Sequence, residues 1–152
     1  MTPPAAPYAS VVWCDDIRQE VGNKPSLMGV YTGSLVVPAL PAVLSKLCAW
    51  VTLMVPIDMA LEEVSMAIRQ DGQTQLLQIP PFKPERALPA PNGVQAVSTS
   101  LMFFVTLAPL PLPEGCRYLQ ATATVNGVEL PSQKLHIETA AQSPAVGPAA
   151  AA

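Results

Sequence analysis

Charged residues and histidine are scarce in this chain, and their scarcity excludes one large class of function. The sequence has 8 Lys and Arg, 11 Asp and Glu and one His, so charged residues make up 12% of its 152 residues. The 8 basic residues are scattered, and the formal net charge is −3. A nucleic-acid-binding protein needs a cluster or stripe of basic residues. We therefore expect no nucleic-acid partner.

Long apolar runs are also missing, although half of the chain is hydrophobic. The longest run, Leu47 to Val55, is followed at once by Pro56 and Asp58, whereas a membrane-spanning helix needs about 20 apolar residues. The first seventeen residues contain no Lys or Arg and are interrupted by prolines, unlike a signal peptide. We therefore expect a cytoplasmic protein with no membrane span.

The cysteine, histidine and glycine residues lack the spacing of any known catalytic or metal-binding motif. Cys14, Cys48 and Cys116 are far apart in sequence, which favours buried free thiols in a reducing compartment. His136 lies between inward-facing positions of a predicted strand, so we expect it at the surface. The 8 glycines form no phosphate-binding loop. We predict no enzyme activity, no metal site and no cofactor.

Alternation with a period of two dominates the chain and predicts an all-β fold. Asp71-Gly72 and Asn126-Gly127 predict tight hairpin turns. The turn signals recur about every 8 to 12 residues, which is typical of a two-sheet antiparallel β-sandwich, immunoglobulin-like or C2-like. The eight predicted strands cover residues 8–14, 26–37, 46–55, 62–70, 73–79, 94–107, 116–125 and 128–138.

The composition predicts one domain with irregular ends. We expect the sandwich to cover residues 8–139, between a flexible N-terminus at 1–7 and a disordered tail of Ala and Pro at 140–152. Residues 80–93 contain five prolines and predict a long surface loop in which strand pairing is nearly impossible. Residues 101–105 are apolar without a break, which is typical of a central strand covered on both sides.

The N-terminal third contains a compact group of charged residues between two apolar runs. The segment Asp15 to Glu20 reads Asp-Asp-Ile-Arg-Gln-Glu, and Ser26 to Tyr31, after Lys24, reads Ser-Leu-Met-Gly-Val-Tyr. Together they resemble the N-terminal signature of a family of small uncharacterised bacterial β-sandwich proteins, a domain of unknown function. The resemblance implies a fold and assigns no catalytic residue.

Strand periodicity divides this charged group between two faces. If the first strand continues to Val21, Asp15 shares a face with apolar residues such as Trp13. A carboxylate in such surroundings must be paired, hydrogen-bonded or neutral. Asp15 is then either an acceptor at a turn or bulge, or an acid tuned for binding or proton transfer. The opposite face carries a solvated ladder of charges, formed by Asp16, Arg18 and Glu20.

The predicted strand at residues 46–55 is apolar on both sides. A two-layer sandwich buries only one side of a strand, which leaves Cys48, Trp50 and Met54 facing outward. Either the loop at 80–93 covers them through Phe82 and Leu88, or a protein partner does.

Two functions remain open at this point. The first is a non-enzymatic interaction or assembly module that acts through apolar strand faces, with Trp50 and Met54 at the interface and a protein partner or a homo-oligomer as its complex. The second is a small-ligand or peptide-binding sandwich that uses the Asp15 to Lys24 end. Its binding residues would be Asp15, Asp16, Arg18, Glu20 and Lys24. An enzyme is the least expected alternative.

Overall fold

A computed structural model describes residues 6–85 and 96–141 of the chain, and in these residues it contains only β-strands, turns and loops. No helix that could cross a membrane is present in these two segments. Twelve strands are formed: β1 (Tyr8–Glu20), β2 (Lys24–Tyr31), β3 (Ser34–Val37), β4 (Ala42–Leu44), β5 (Leu47–Pro56), β6 (Val64–Gln70), β7 (Thr74–Phe82), β8 (Ser98–Leu107), β9 (Leu110–Leu112), β10 (Tyr118–Val125), β11 (Val128–Pro131) and β12 (Leu135–Thr139).

The strands form two main sheets that pack against each other. The first sheet has the order β2-β1-β5-β8. The second has the order β3-β12-β10-β6-β7, and β11 also pairs with β10. A small third sheet joins β4 to β9. The predicted all-β sandwich is confirmed.

The core lies between the inner faces of the two main sheets. From the first sheet, alternate residues of β5 such as Val51 and Leu53 are fully buried. From the second, Leu119 and its alternate neighbours on β10 are equally buried. Because these side chains leave water completely, each contributes roughly 1.5 to 3 kcal/mol of transfer free energy.

Two of the predicted strands are divided in the structure. The run at 26–37 breaks at Gly33, whose φ of 131° is accessible to glycine, and β2 and β3 then belong to different sheets. The run at 128–138 breaks after Pro131 into β11 and β12. Strand β12 pairs with β3 in parallel, so a wholly antiparallel sandwich was the wrong expectation for this pair. Period two locates strands but does not say where the chain changes sheets.

Proline-rich segments contain more strand pairing than the sequence predicts. Strand β7 continues through Pro80 and Pro81 and pairs Phe82 with Val64, so the expectation of no pairing after residue 79 was wrong there. Pro111 likewise lies in β9. Both are edge strands, where a missing N–H can face away from the neighbouring strand.

Among the described strands β8 lies at the edge of its sheet, whereas the sequence predicted a central strand covered on both sides. It pairs with β5 over its whole length, and Met102 and Phe104 are about half exposed. The uninterrupted apolar run at 101–105 therefore did not mean that both faces of the strand are buried. Several predictions concern residues 1–5, 86–95 and 142–152, which lie outside the described residues: the flexible N-terminus, most of the 80–93 loop and the tail.

Candidate functional site

The outer face of the first sheet, which points away from the core, is apolar across three strands. Cross-strand pairing aligns Val12 with Trp50 and Trp50 with Phe104 in one row. Two parallel rows lie beside it, and none of the three contains a charged residue. We call this surface the apolar face; its residues are Tyr8, Ser10, Val12, Trp50, Thr52, Met54, Ser100, Met102 and Phe104.

Large apolar side chains on this side of the sheet are open to solvent. Of the eleven exposed large hydrophobic residues in the described segments, five project from the outer side of the first sheet. Three belong to the apolar face: Tyr8 is 48% exposed, Met102 52% and Phe104 48%. Met28 and Val30 extend the same side along β2, through their pairing with Asp16 and Cys14. Apolar surface gathered in this way marks an interaction site more often than scattered exposed residues do.

Trp50 lies on β5, the middle strand of the apolar face, and packs on Phe104. Their ring centroids are 5.6 Å apart and the planes are tilted by 35°. Its indole N–H is buried and has no hydrogen-bond acceptor among the described residues. The structure thus places the predicted interface residues Trp50 and Met54 on one surface and adds Tyr8, Met102 and Phe104 to them. Sequence reasoning missed Met102 and Phe104 because it predicted β8 to be covered, and it did not assign Tyr8 to a face.

The predicted cover from Phe82 does not reach this surface. The Phe82 ring contacts Phe103, with centroids 6.4 Å apart, and Phe103 packs against the core. Phe82 therefore lies on the inner side of the first sheet. Leu88, the other predicted cover, lies outside the described residues.

A charged group stands at one end of the apolar face. The Asp16 carboxylate accepts hydrogen bonds from Lys46 Nζ at 2.6 Å and from Arg18 Nε at 3.1 Å. These two cations, Lys46 before Arg18, hold the Asp16 pKa below its usual value. Lys46 was missed as part of this group. The register between β1 and β5 explains its position: Cys14 pairs with Cys48, and two residues further along Lys46 lies across from Asp16.

Asp15 is exposed, so the prediction that it lies among apolar neighbours was wrong. Strand β1 pairs with β5 only from Tyr8 to Cys14, and beyond that point it pairs with β2 alone. The two strands form an arm whose outer part extends beyond the core. The Tyr31 hydroxyl donates a hydrogen bond to the Asp15 carboxylate. Burial, and then this bond, raise the Tyr31 pKa to about 12.

The five predicted binding residues do not converge on one pocket. Asp15 lies on one face of the arm, and Asp16 and Arg18 lie on the other. Glu20 and Lys24 face each other at the exposed tip. Asp16 already binds two cations, and these exposed pairs contribute little to stability. The arrangement is a solvated ladder of charges, and Asp15 accepts a hydrogen bond from Tyr31 on the other face of the arm.

Cys14 and Cys48 lie opposite each other on β1 and β5, beside the apolar face. Both are free and buried, as the sequence predicted for all three cysteines. Burial raises the Cys14 pKa to about 11, and the neighbouring Cys48 adds to the effect. The thiolate form needed for nucleophilic attack or metal binding is therefore suppressed.

A separate cleft of about 380 Å³ lies beside β12 and contains the exposed His136. Arg117 and Glu138 also line it, but Arg117 Nε lies 3.6 Å from the Asp71 carboxylate. Sequence reasoning placed His136 at the surface and did not identify the cleft. No group of three or more His, Cys, Asp or Glu residues within 6–85 and 96–141 could hold a metal ion.

Comparison with known proteins gives a family and no activity. The model of a family of unknown function, DUF6941, matches residues 9–138. No curated protein matches the chain, and no solved structure does. The resemblance to a family of unknown function is confirmed, whereas the bacterial source and the N-terminal signature stay predictions.

Proposed function

The chain belongs to this family of unknown function, and from the geometry of its first sheet we propose that it is a non-enzymatic interaction module that binds a protein partner through the apolar face. A bacterial source and a cytoplasmic location are part of the same proposal. They rest on the N-terminal signature and on three cysteines that are free and buried.

One observation carries the proposal: exposed large apolar side chains are concentrated on one sheet surface whose three central rows have no charge. Protein interfaces combine such apolar centres with a polar rim, and aromatic residues and Met are enriched in them. Trp50, Tyr8 and Phe104 supply the aromatic anchors. The group of Asp16, Arg18 and Lys46 supplies a polar rim at one end.

The absence of enzyme activity is also a proposal, and it is supported by the state of the reactive side chains. The Cys14 and Cys116 pKa values are raised, chiefly by burial, so neither thiol is activated. Asp16 is held ionised by Lys46 and Arg18, which suits a structural ion pair better than a proton donor.

The test compares two threonines in equivalent positions on the two main sheets. Thr52 is half-buried at the centre of the apolar face, and Thr122 is half-buried on the outer side of β10. Thr52→Lys adds a charge that a partner would have to desolvate, so partner binding is expected to fall by at least about tenfold. Thr122→Lys is expected to leave it unchanged. A partner captured by the full chain is purified, and its affinity for the wild type and both variants is measured by calorimetry.

Equal binding by the two lysine variants would contradict the proposal, because the apolar face would then not be the contact surface. Thermal unfolding of both variants provides the control for folding. Their melting temperatures are expected to agree within a few degrees, since both side chains are partly exposed.

Ligand or peptide binding at the Asp15 to Lys24 end stays the alternative prediction. Its residues are exposed on an arm, but Asp16 is already bound to two cations and the group encloses no described cleft. The apolar face therefore has the stronger structural support.

A further inference from the structure

The exposed edges of the sheets differ in how well they are protected against pairing with another strand. Natural edge strands are shortened, or they contain Pro, charged residues or bulges that discourage pairing. Strand β2 has Lys24, Pro25 and a Gly29 with φ of 65°. Strand β7 has two prolines and two shifts of register against β6.

The part of β1 from Tyr8 to Val12 is also an edge, because β2 pairs with β1 only from Trp13 onward, but its Val11 N–H already donates a hydrogen bond to the Gln133 side chain. The other described edges are short. Strands β3 and β11 have four residues each, and β4 and β9 have three each. Each has only one or two residues whose backbone N–H and C=O can pair with an added strand. None of them is a platform for stable pairing.

Strand β8 has none of these protections. It is ten residues long, contains no Pro, Gly or charged residue, and pairs with β5 without a shift of register. In the described part of the chain it pairs with no strand besides β5. In an antiparallel ladder every second residue directs its N–H and C=O away from the neighbour. About five residues of β8 therefore direct backbone N–H and C=O groups toward an edge that no other described strand occupies.

The sequence of β8 is compatible with pairing to a second copy of itself. Its ends are rich in Ser and Thr, and its centre, Leu101 to Val105, is apolar. If two copies pair antiparallel about Phe103, Met102 of one copy faces Phe104 of the other on the outer side. In the same register Ser100 faces Thr106 and Leu101 faces Val105. Like classes of side chain meet at these positions, with Thr99 opposite Leu107 as the exception near the ends, and no charge meets its own copy.

We propose that two copies of this chain pair through the β8 edges, antiparallel and about a twofold axis at Phe103. The first sheets then form one sheet of eight strands, in the order β2-β1-β5-β8-β8-β5-β1-β2. The apolar faces of the two copies become one continuous surface, because residues of the same parity stay on the same side of the sheet. This inference goes beyond the proposed function, since it names a second copy at an edge and not the partner on the face.

The first measurement is the mass of the full chain in sedimentation equilibrium, from micromolar to near-millimolar concentration. We expect a reversible dimer with twice the monomer mass of 16.0 kDa. A chain that stays monomeric over this range would overturn the proposal. The proposed function is judged separately, by the loss of the partner from Thr52→Lys.

The second measurement tests the register with two variants that differ only in the sign of one charge. In Met102→Lys/Phe104→Lys, each lysine faces a lysine of the other copy. In Met102→Lys/Phe104→Glu, each lysine faces a glutamate. Both sites are about half exposed, so both variants are expected to fold, and circular dichroism checks this. Two charges of the same sign that face each other destabilise a cross-strand pair, and two charges of different sign stabilise it.

We expect dimerisation of the Lys/Lys variant to be at least about tenfold weaker than that of the Lys/Glu variant. Val43→Lys, on the exposed β4, is the control and is expected to dimerise like the wild type. Equal dimerisation by the two double variants would overturn the proposed register. The register is likewise overturned if both variants fold and neither dimerises. If both dimerise as the wild type does, the proposed edge is overturned as well.

Discussion

The two main sheets have similar inner faces and different outer faces. Outward residues of β10 and β6 are polar or small, and Arg69 of this surface lies 3.8 Å from the Glu129 carboxylate. Outward residues of β5 and β8 are aromatic, sulfur-containing or hydroxyl side chains, apart from Pro56 at the end of β5. The contrasting pairs are Thr124 with Ser65, Thr122 with Ala67 and Gln120 with Arg69 on the second sheet, and Trp50 with Phe104 and Thr52 with Met102 on the first.

This difference shows that the core alone does not explain the hydrophobic composition of the chain. The second sheet follows the usual rule for a solvated antiparallel face, in which buried apolar and exposed polar residues alternate. The first sheet continues apolar residues onto its outer side. Covering apolar surface contributes roughly 25 cal/mol per Å² before the cost of association is subtracted, and this gain is the physical basis of the proposed interaction.

The largest expected effect tests whether the inner faces are equivalent. Leu53→Ala on β5 and Leu119→Ala on β10 each leave a cavity at a fully buried site. Each is expected to lower the free energy of unfolding by about 2 to 5 kcal/mol, measured by urea denaturation. If only one substitution has an effect of this size, the two sheets do not contribute equally to one core.

A smaller effect is expected at alkaline pH, mainly in the first sheet. The pKa of Cys14 rises from 9.0 to about 11, chiefly through burial, and that of Tyr31 from 10.0 to about 12. The folded state favours the protonated forms, so this stability is complete below about pH 9 and is lost as pH rises through 11 and 12. For Cys14 the loss is about 2 to 3 kcal/mol.

Urea midpoints measured from about pH 8 upward test this prediction. Cys14→Ala is expected to give a shallower fall than the wild type, although the raised pKa of Cys116 keeps part of the slope. Hydrogen exchange is expected to show that β1 and β5 lose protection before β10. If the urea midpoints of the wild type and Cys14→Ala fall equally steeply with pH, Cys14 does not contribute to the alkaline loss of stability.

The smallest effect concerns the β1–β2 arm. Gly29 has a φ of 65°, and a Cβ there would lie 2.7 Å from Asp15 Cγ. Gly29→Ala is expected to lower stability by about 1 to 2 kcal/mol, through strain and collision together. Gly127→Ala, at φ of 82° with no atom within 4 Å of the added Cβ, is the control for strain alone. If Gly29→Ala and Gly127→Ala lower the free energy of unfolding equally in urea denaturation, the Asp15 side chain does not require a glycine opposite it.

Local chemistry made most of the fold predictable. Asp71 and Asn126 adopt the positive φ values, 50° and 49°, that their Gly-containing turns require. Period two located the central strands β5 and β10 and, for β5, the inner face. The divisions at Gly33 and Pro131 were missed, because alternation continues across both breaks while the chain moves to another strand partner.

The candidate site was predictable only in part. The outward side of Trp50 and Met54 follows from alternation in β5 alone. Phe104 and Met102 could not be assigned to it, because the same apolar run fits a covered strand or an exposed edge. For Asp15 the sequence predicted the correct strand face and the wrong burial. Whether this side chain is buried depends on how far β5 pairs along β1, and that pairing ends at Cys14.

The sequence by itself determined most of the longer strands, two hairpin turns, the buried free thiols and the scarcity of charge. These depend on backbone sterics and on side-chain polarity within a few residues. The tertiary structure alone decided that β8 is an edge, that Asp15 is exposed beside Tyr31, and that apolar residues from three strands form one outer face. Those outcomes depend on which strands become neighbours, and contacts between distant segments are not encoded in local periodicity.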